Sequence, residues 1–175
     1  MAPARDPLSL QRLADEHDVE QFRCGNDELD HWFHVHAHNS DRMDSARVFV
    51  LAEDDGPIIG YFALSMTAVV KDQAPKKLVR GLPPHPVGAV LIARVAVAEG
   101  RQGEGLGGLL LAHAVLGSAR AGDAAAARLV VVDAIDDPAA AFYDRFGFQS
   151  IPESPRQLYV RLRDAVASVE ASGIA

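Results

Sequence analysis

Apolar and polar positions change their spacing several times along the chain, and each change predicts an element. Leu29, Trp32, Phe33 and Ala37 recur at three- and four-residue intervals, the period of a helix with one buried face. Asn26 precedes them as a candidate N-cap, with Asp27 and Glu28 in the first turn, so this helix is expected to run to about Asn39. Asp15–Phe22 is read as a shorter helix closed by Gly25, and residues 1–13 as a loosely ordered lead-in. Arg47–Ala52 and Ile58–Val70 read as strands joined at Asp54-Asp55-Gly56, an antiparallel hairpin. Pro75, Pro83, Pro84 and Pro86 cannot pair inside a sheet, so 72–86 is expected to be a loop, carrying Lys76, Lys77 and Arg80.

Val87–Ala98 is an apolar strand, and the glycine-rich turn Arg101–Gly108 leads from it into a helix over Leu109–Ala121. Leu129–Ala134 is apolar on both faces, as a central strand should be. Pro138 fits the first turn of a helix carrying Ala139–Phe146, with Gly147 ending it. Gln157–Leu162 is the last strand, and 164–175 reads as a tail. No repeat is visible. The order predicts one α/β (α+β) domain over residues 1–175, with a mixed central sheet flanked by helices.

Composition narrows the class. The chain has 175 residues, 49% hydrophobic and 23% charged, a globular balance, and its apolar runs are too short for a membrane span. The N-terminus lacks the apolar core of a signal peptide, so a soluble cytoplasmic protein without a membrane partner is expected. A single cysteine, Cys24, excludes an internal disulfide framework. The net charge of −7 argues against a broadly basic nucleic-acid binder, but its distribution is uneven. Residues 1–60 hold 5 Lys/Arg against 13 Asp/Glu, residues 61–120 hold 7 against 3, and residues 121–175 hold 5 against 8. An acidic flank therefore precedes a basic middle, which can present a local positive field.

The candidate chemistry begins at Gln102-Gly103-Glu104-Gly105-Leu106-Gly107, between a strand and a helix. Backbone N–H groups at such a turn cradle a pyrophosphate at the positive helix end. The Lys-Ser/Thr of a nucleotide P-loop is missing. Gly103, Gly105 and Gly108 formally fit the dinucleotide G-x-G-x-x-G template, but here that run follows a hairpin, and Asp123 lies in a post-helix loop.

A second motif, Ala139-x-x-x-Tyr143-x-x-x-Gly147-Phe148, lies on the helix after the next strand. With the glycine loop and the strand Arg94-Val95-Ala96-Val97, it resembles the GNAT acyl-CoA N-acetyltransferase superfamily. The resemblance spans about residues 16–162. His17-Asp18-Val19, Phe22-x-Cys24-Gly25, Leu29-Asp30-x-Trp32, Ala46-Arg47-x-Phe49-Val50, Ile59-Gly60-Tyr61-Phe62 and Ile92–Val97 look like the GNAT toxins of bacterial toxin–antitoxin pairs. It implies a GNAT fold, acetyl-CoA as cosubstrate, aminoacyl-tRNA as acceptor, a ribbon-helix-helix antitoxin and a homodimer.

Carried over by position, the resemblance makes the Val95 backbone N–H the group that polarises the thioester carbonyl. Val97, with Ala96 beside it, pairs with pantetheine; Gln102, Gly103, Gly105, Leu106, Gly107 and Gly108 form the phosphate loop, and Tyr143 is the general acid. Asp136 stands where many members have Asn, and a carboxylate accepts hydrogen bonds but cannot donate them. Lys76, Lys77, Arg80 and Arg94 are candidates for acceptor-stem phosphates.

The chemistry is coherent on its own terms. An α-amino group has an ordinary pKa of about 7.7–8.0, lower as an ester, so attack on a thioester needs no strong base. A thiol near 8.5 and a phenol near 10 place full proton transfer from Tyr143 at a cost of about 2 kcal/mol, which favours hydrogen-bond donation. His31, His34, His36 and His38 share a helix but lack an H-E-x-x-H pattern, and no metal is expected. Cys24 sits beside an acidic turn that opposes a thiolate. Ser65 and Asp133 lack a histidine in a triad pattern, and Arg47 is as well explained by structure as by function. Two other readings remain: a GNAT enzyme for a small amine or protein N-terminus, and a non-catalytic acyl-CoA- or partner-binding module.

Overall fold

The structure is a computed structural model that describes residues 7–54 and 56–174. Among the described residues the chain forms a mixed α/β fold on a seven-stranded sheet flanked by helices. Its elements are β1 (Leu8–Arg12), α1 (Asp27–Val35), α2 (Ala37–Arg42), β2 (Arg47–Glu53), β3 (Ile58–Val69), α3 (Lys76–Val79), β4 (Val87–Val97), α4 (Leu106–Ala125), β5 (Leu129–Asp133), α5 (Asp137–Arg145), β6 (Gln149–Ile151), β7 (Ser154–Arg161) and α6 (Leu162–Ser172). The strand order is β1-β2-β3-β4-β5-β7-β6. β4 and β5 are parallel; β1 with β2, and β7 with both β5 and β6, are antiparallel.

The residues cluster into two compact units. One holds the described residues up to Ala63 with Arg94–Leu111, and the other Leu64–Ala93 with those from Ala112 onward. The first unit is built on stacked rings. Phe33 lies flat on Tyr61 at 4.0 Å between centroids, Phe22 meets both edge-on, and the Tyr61 hydroxyl donates to the Leu29 carbonyl at 2.9 Å. That bond removes the one polar atom that burying Tyr61 would otherwise strand. In the second unit one core cluster is aliphatic around a single ring: Val69, Leu78, Val79, Val87, Leu129 and Val131 pack around Tyr159. The first four residues of β5 are all buried, as the unbroken apolar run required.

Several expectations are corrected. The lead-in contains β1, whose Leu8 pairs with Glu53 and Leu10 with Leu51; residues 1–6 lie outside the described part. Asp15–Phe22 forms turns rather than a helix, because His17 Nδ1 accepts from the Ala14 N–H and Asp18 from the Glu20 N–H. Side chains there supply the backbone partners a helix would have used. The Asn26 helix breaks at His36 and resumes as α2 to Arg42. The proline-rich loop holds a 3-10 turn, Lys71–Gln73, and the one-turn α3. At the hairpin turn the Gly56 N–H donates to the Glu53 carbonyl, while Asp55 lies outside the described residues. β6 is an extra short strand, and the expected tail is α6, with Leu162 and Ala165 buried; Ala175 is outside the described residues.

Candidate active site

Two strand-to-helix junctions carry the predicted chemistry. After β4 the chain makes a 3-10 turn over Glu99–Arg101, passes Gln102, and enters α4 at Leu106. The helix starts three residues before its expected first residue, so Gly107 and Gly108 lie in its first turn rather than in the loop. Gly103 and Gly105 both have φ near +80°, the left-handed region that side chains disfavour, and a Cβ on either would meet nothing within 4 Å. The glycines are therefore required by the backbone turn, and the space before them is open. The Leu109 N–H is the first to reach back, to the Gly105 carbonyl, so the amides of Leu106, Gly107 and Gly108 lack an intrahelical acceptor. This arrangement fits an anionic diphosphate.

The loop is tied down from behind. The Gln102 side-chain amide donates to the carbonyls of Cys24 at 2.8 Å and Val97 at 3.0 Å. Arg101 bonds Glu104 at 2.7 Å and also pairs with Glu53, while the Glu99 N–H donates to the Arg23 carbonyl. Arg101 thus neutralises a carboxylate, Glu104, that sits between the two turn glycines and would otherwise repel an anion. Just ahead of the loop, Val95 and Val97 are half-buried and Ala96 is buried. They lie beyond the stretch of β4 paired with β5, whose register covers Ala89 to Ile92.

The second junction, after β5, is closed. Asp136 caps α5, its carboxylate accepting from the Ala139 N–H at 2.8 Å, with Pro138 in the first turn. On α5, Tyr143 is buried, edge-on to Phe142 and Phe148. Burial alone pushes its phenol above the ordinary value of 10.0. It stays a donor at neutral pH, and full proton transfer costs more than the ordinary values imply.

The candidates thus fall in two groups. Val95, Ala96, Val97, Gln102, Gly103, Gly105, Leu106, Gly107 and Gly108 belong to the first unit, with Arg94. Tyr143, Asp136, Lys76, Lys77 and Arg80 belong to the second. Lys76 and Lys77 are exposed on α3 and Arg80 follows it, whereas the Arg94 guanidinium lies 4.3 Å over the Trp32 ring. That stacking fixes a cation on an aromatic face and was not legible from spacing. The helix histidines have other work: His34 Nε2 lies 2.7 Å from the Phe22 carbonyl oxygen and His38 Nε2 3.3 Å from that of His17. Arg47 binds the Asp41 carbonyl and the Asp44 carboxylate, a structural use. Cys24 is buried and its thiol is pushed up to about 11, chiefly by burial and then by Asp30.

Residues 44–150 match the family model described as an acetyltransferase (GNAT) domain. The chain is 34% identical over 159 residues to a tRNA-acetylating toxin of Mycobacterium tuberculosis, covering 91% of this chain and 95% of that one. It superposes on a crystal structure of a tyrosine-to-phenylalanine variant of KacT with a TM-score of 0.84 at 26% identity, covering 94% of this chain and 98% of that one. A structure of AtaT complexed with acetyl-methionyl-tRNA gives a TM-score of 0.83 at 24% identity, with 90% and 96% covered.

Proposed function

This chain belongs to the GNAT acetyltransferase family, and on that footing we propose that it transfers the acetyl group of acetyl-CoA to the α-amino group of aminoacyl-tRNA, blocking translation as a toxin. The observation that carries the reading is the open Gly103–Gly105 junction in a chain so similar to a tRNA-acetylating toxin. Acetyl-CoA supplies an activated acetyl thioester. The amides of Leu106, Gly107 and Gly108 hold its pyrophosphate, with Gln102 fixing the loop and Arg101 masking Glu104. Val95 and Val97 offer main-chain groups to the pantetheine arm, and Asp136 accepts from it with the carboxylate oxygen its cap leaves over.

The Val95 N–H stabilises the oxyanion formed when the amine attacks. Tyr143 donates its hydrogen to the departing sulfur, a role its high pKa favours over early proton loss. Lys76, Lys77 and Arg80 bind acceptor-stem phosphates, and Arg94, braced on Trp32, adds a fixed cation. We read both compact units as one acetyltransferase domain that works in the cytoplasm, where charged tRNA is found. A ribbon-helix-helix antitoxin holds it in check, its basic tail meeting the acidic flank of residues 1–60, and two copies pair as a dimer. No helix among the described residues is long and apolar enough to cross a membrane.

Cell-free translation tests the proposal. Adding the protein with acetyl-CoA should stop synthesis and accumulate N-acetylaminoacyl-tRNA. Synthesis that continues at the untreated rate would contradict it.

A further inference from the structure

The second unit holds a polar cluster that none of the roles above uses. β5 and β7 are antiparallel with Asp133 opposite Gln157 and Val131 opposite Tyr159. Gln157 and Tyr159, two residues apart, share a face with Asp133. The Tyr159 hydroxyl donates to Gln157 Oε1 at 2.6 Å, and Gln157 Nε2 donates to Asp133 Oδ1 at 2.9 Å. This direction is forced: turning the Gln157 amide over would set its carbonyl oxygen against the carboxylate. Burial, with the nearby Asp133 charge, raises the Tyr159 phenol, so the chain starts from a fixed donor. It ends on a carboxylate that can only accept.

The three side chains line a cavity of about 80 Å³, room for an ammonium-sized group and a water. A second cavity of about 700 Å³ shares Gln73 and Gln157 with it and is large enough for an amino-acid side chain or a terminal nucleoside. Asp133 is exposed, hence reachable, and lies three residues before Asp136, the cap of the helix carrying Tyr143.

We propose that Asp133, aligned by Gln157 and Tyr159, is the residue that receives the acceptor amine. This rests on the acetyltransferase reading and assigns its acceptor side. The neutral amine donates an N–H to the Asp133 carboxylate, which aims the nitrogen lone pair away from the relay. As the N–C bond forms, the nitrogen becomes positive beside a fixed negative charge, so the contact strengthens in the transition state. The C–S bond breaks, Tyr143 gives its proton to the sulfur, and the nitrogen's proton passes to Asp133. One proton relayed through water from Asp133 to Tyr143 restores both residues. The second cavity takes the group attached to the amine.

Asp133→Asn keeps the shape and the acceptor for Gln157 but removes the charge. It should lower kcat/KM for aminoacyl-tRNA by about 100-fold while the acetyl-CoA dissociation constant stays within about twofold. Asp133→Glu should recover part of the loss, and Gln157→Leu, which only misaligns the carboxylate, should cost about tenfold. With CoA bound, the unaltered protein should prefer charged over uncharged tRNA, and Asp133→Asn should lose that preference. Full activity in Asp133→Asn, or no preference in the unaltered protein, overturns the assignment. Failure of the tRNA reading shows separately, as no acetylation of charged tRNA by the unaltered protein. Alanine ethyl ester then serves as the amine: a fall with Asp133→Asn supports the assignment, and an unchanged rate or an unaltered protein that is inactive on it overturns the assignment.

Discussion

The two strand-to-helix junctions are built from opposite materials. Where β5 meets α5, Asp136 spends its own carboxylate on the Ala139 amide, and Pro138 needs no partner, so the helix end is closed by the chain itself. Where β4 meets α4, Gly105 has no side chain to lend, and the two left-handed glycines face open space where a side chain would stand. The same positive helix end is silenced in one place and offered in the other. A junction left uncapped costs stability, and the hydrogen bonds of Gln102 and Arg101 to distant parts of the first unit offset that cost.

The largest effect should come from closing the open junction. Gly105→Asp strains a left-handed position and sets a carboxylate where the diphosphate lies, so acetyl-CoA affinity should fall at least about 100-fold, or ~2.7 kcal/mol. Titration calorimetry reads this directly, and retained affinity would mean the junction is not the anion site. On the closed side, Tyr143→Phe should reduce kcat by about 100-fold with acetyl-CoA binding near normal, separating chemistry from binding. Arg101→Met should weaken acetyl-CoA binding about tenfold by unmasking Glu104, and adding Glu104→Gln should restore most of it. Asp136→Ala should lower stability by about 1 kcal/mol in denaturant unfolding, whereas Asp136→Asn, also a good cap, should leave it unchanged.

The smallest effect is alkaline. Cys24 keeps its proton to about pH 11 in the folded protein, above its unfolded value of about 8.5. Its contribution to stability is complete below about pH 8.5 and lost as pH rises towards 11. Cys24→Ala should therefore show a shallower fall in stability over that range than the parent, measured by urea midpoints.

Much of this architecture was legible because it is local. The Asn26 cap, the apolar β5, the Pro138 start and the Gly103–Gly105 turn each depend on residues within one turn or strand. What escaped depends on distant partners. β1 is recognisable only by its pairing with β2, since its own pattern is mostly exposed. Gln102 bonds Cys24, 78 positions away, and Arg101 bonds Glu53, 48 away; no periodicity encodes either. The relay of Asp133, Gln157 and Tyr159 exists only once β5 and β7 align. Asp15–Phe22 forms no helix because the side chains of His17 and Asp18 capture nearby amides.

If the chain works as proposed, the acetyl group ends on the amino acid of a charged tRNA. Acetyl-labelled acetyl-CoA, aminoacyl-tRNA and the protein should be combined, the tRNA digested to its 3′ nucleoside, and the product identified by mass spectrometry. Label should appear on N-acetylaminoacyl-adenosine and be lost with Tyr143→Phe and with Gly105→Asp. Label confined to free amines or to protein, with the aminoacyl-adenosine unmodified, would contradict it.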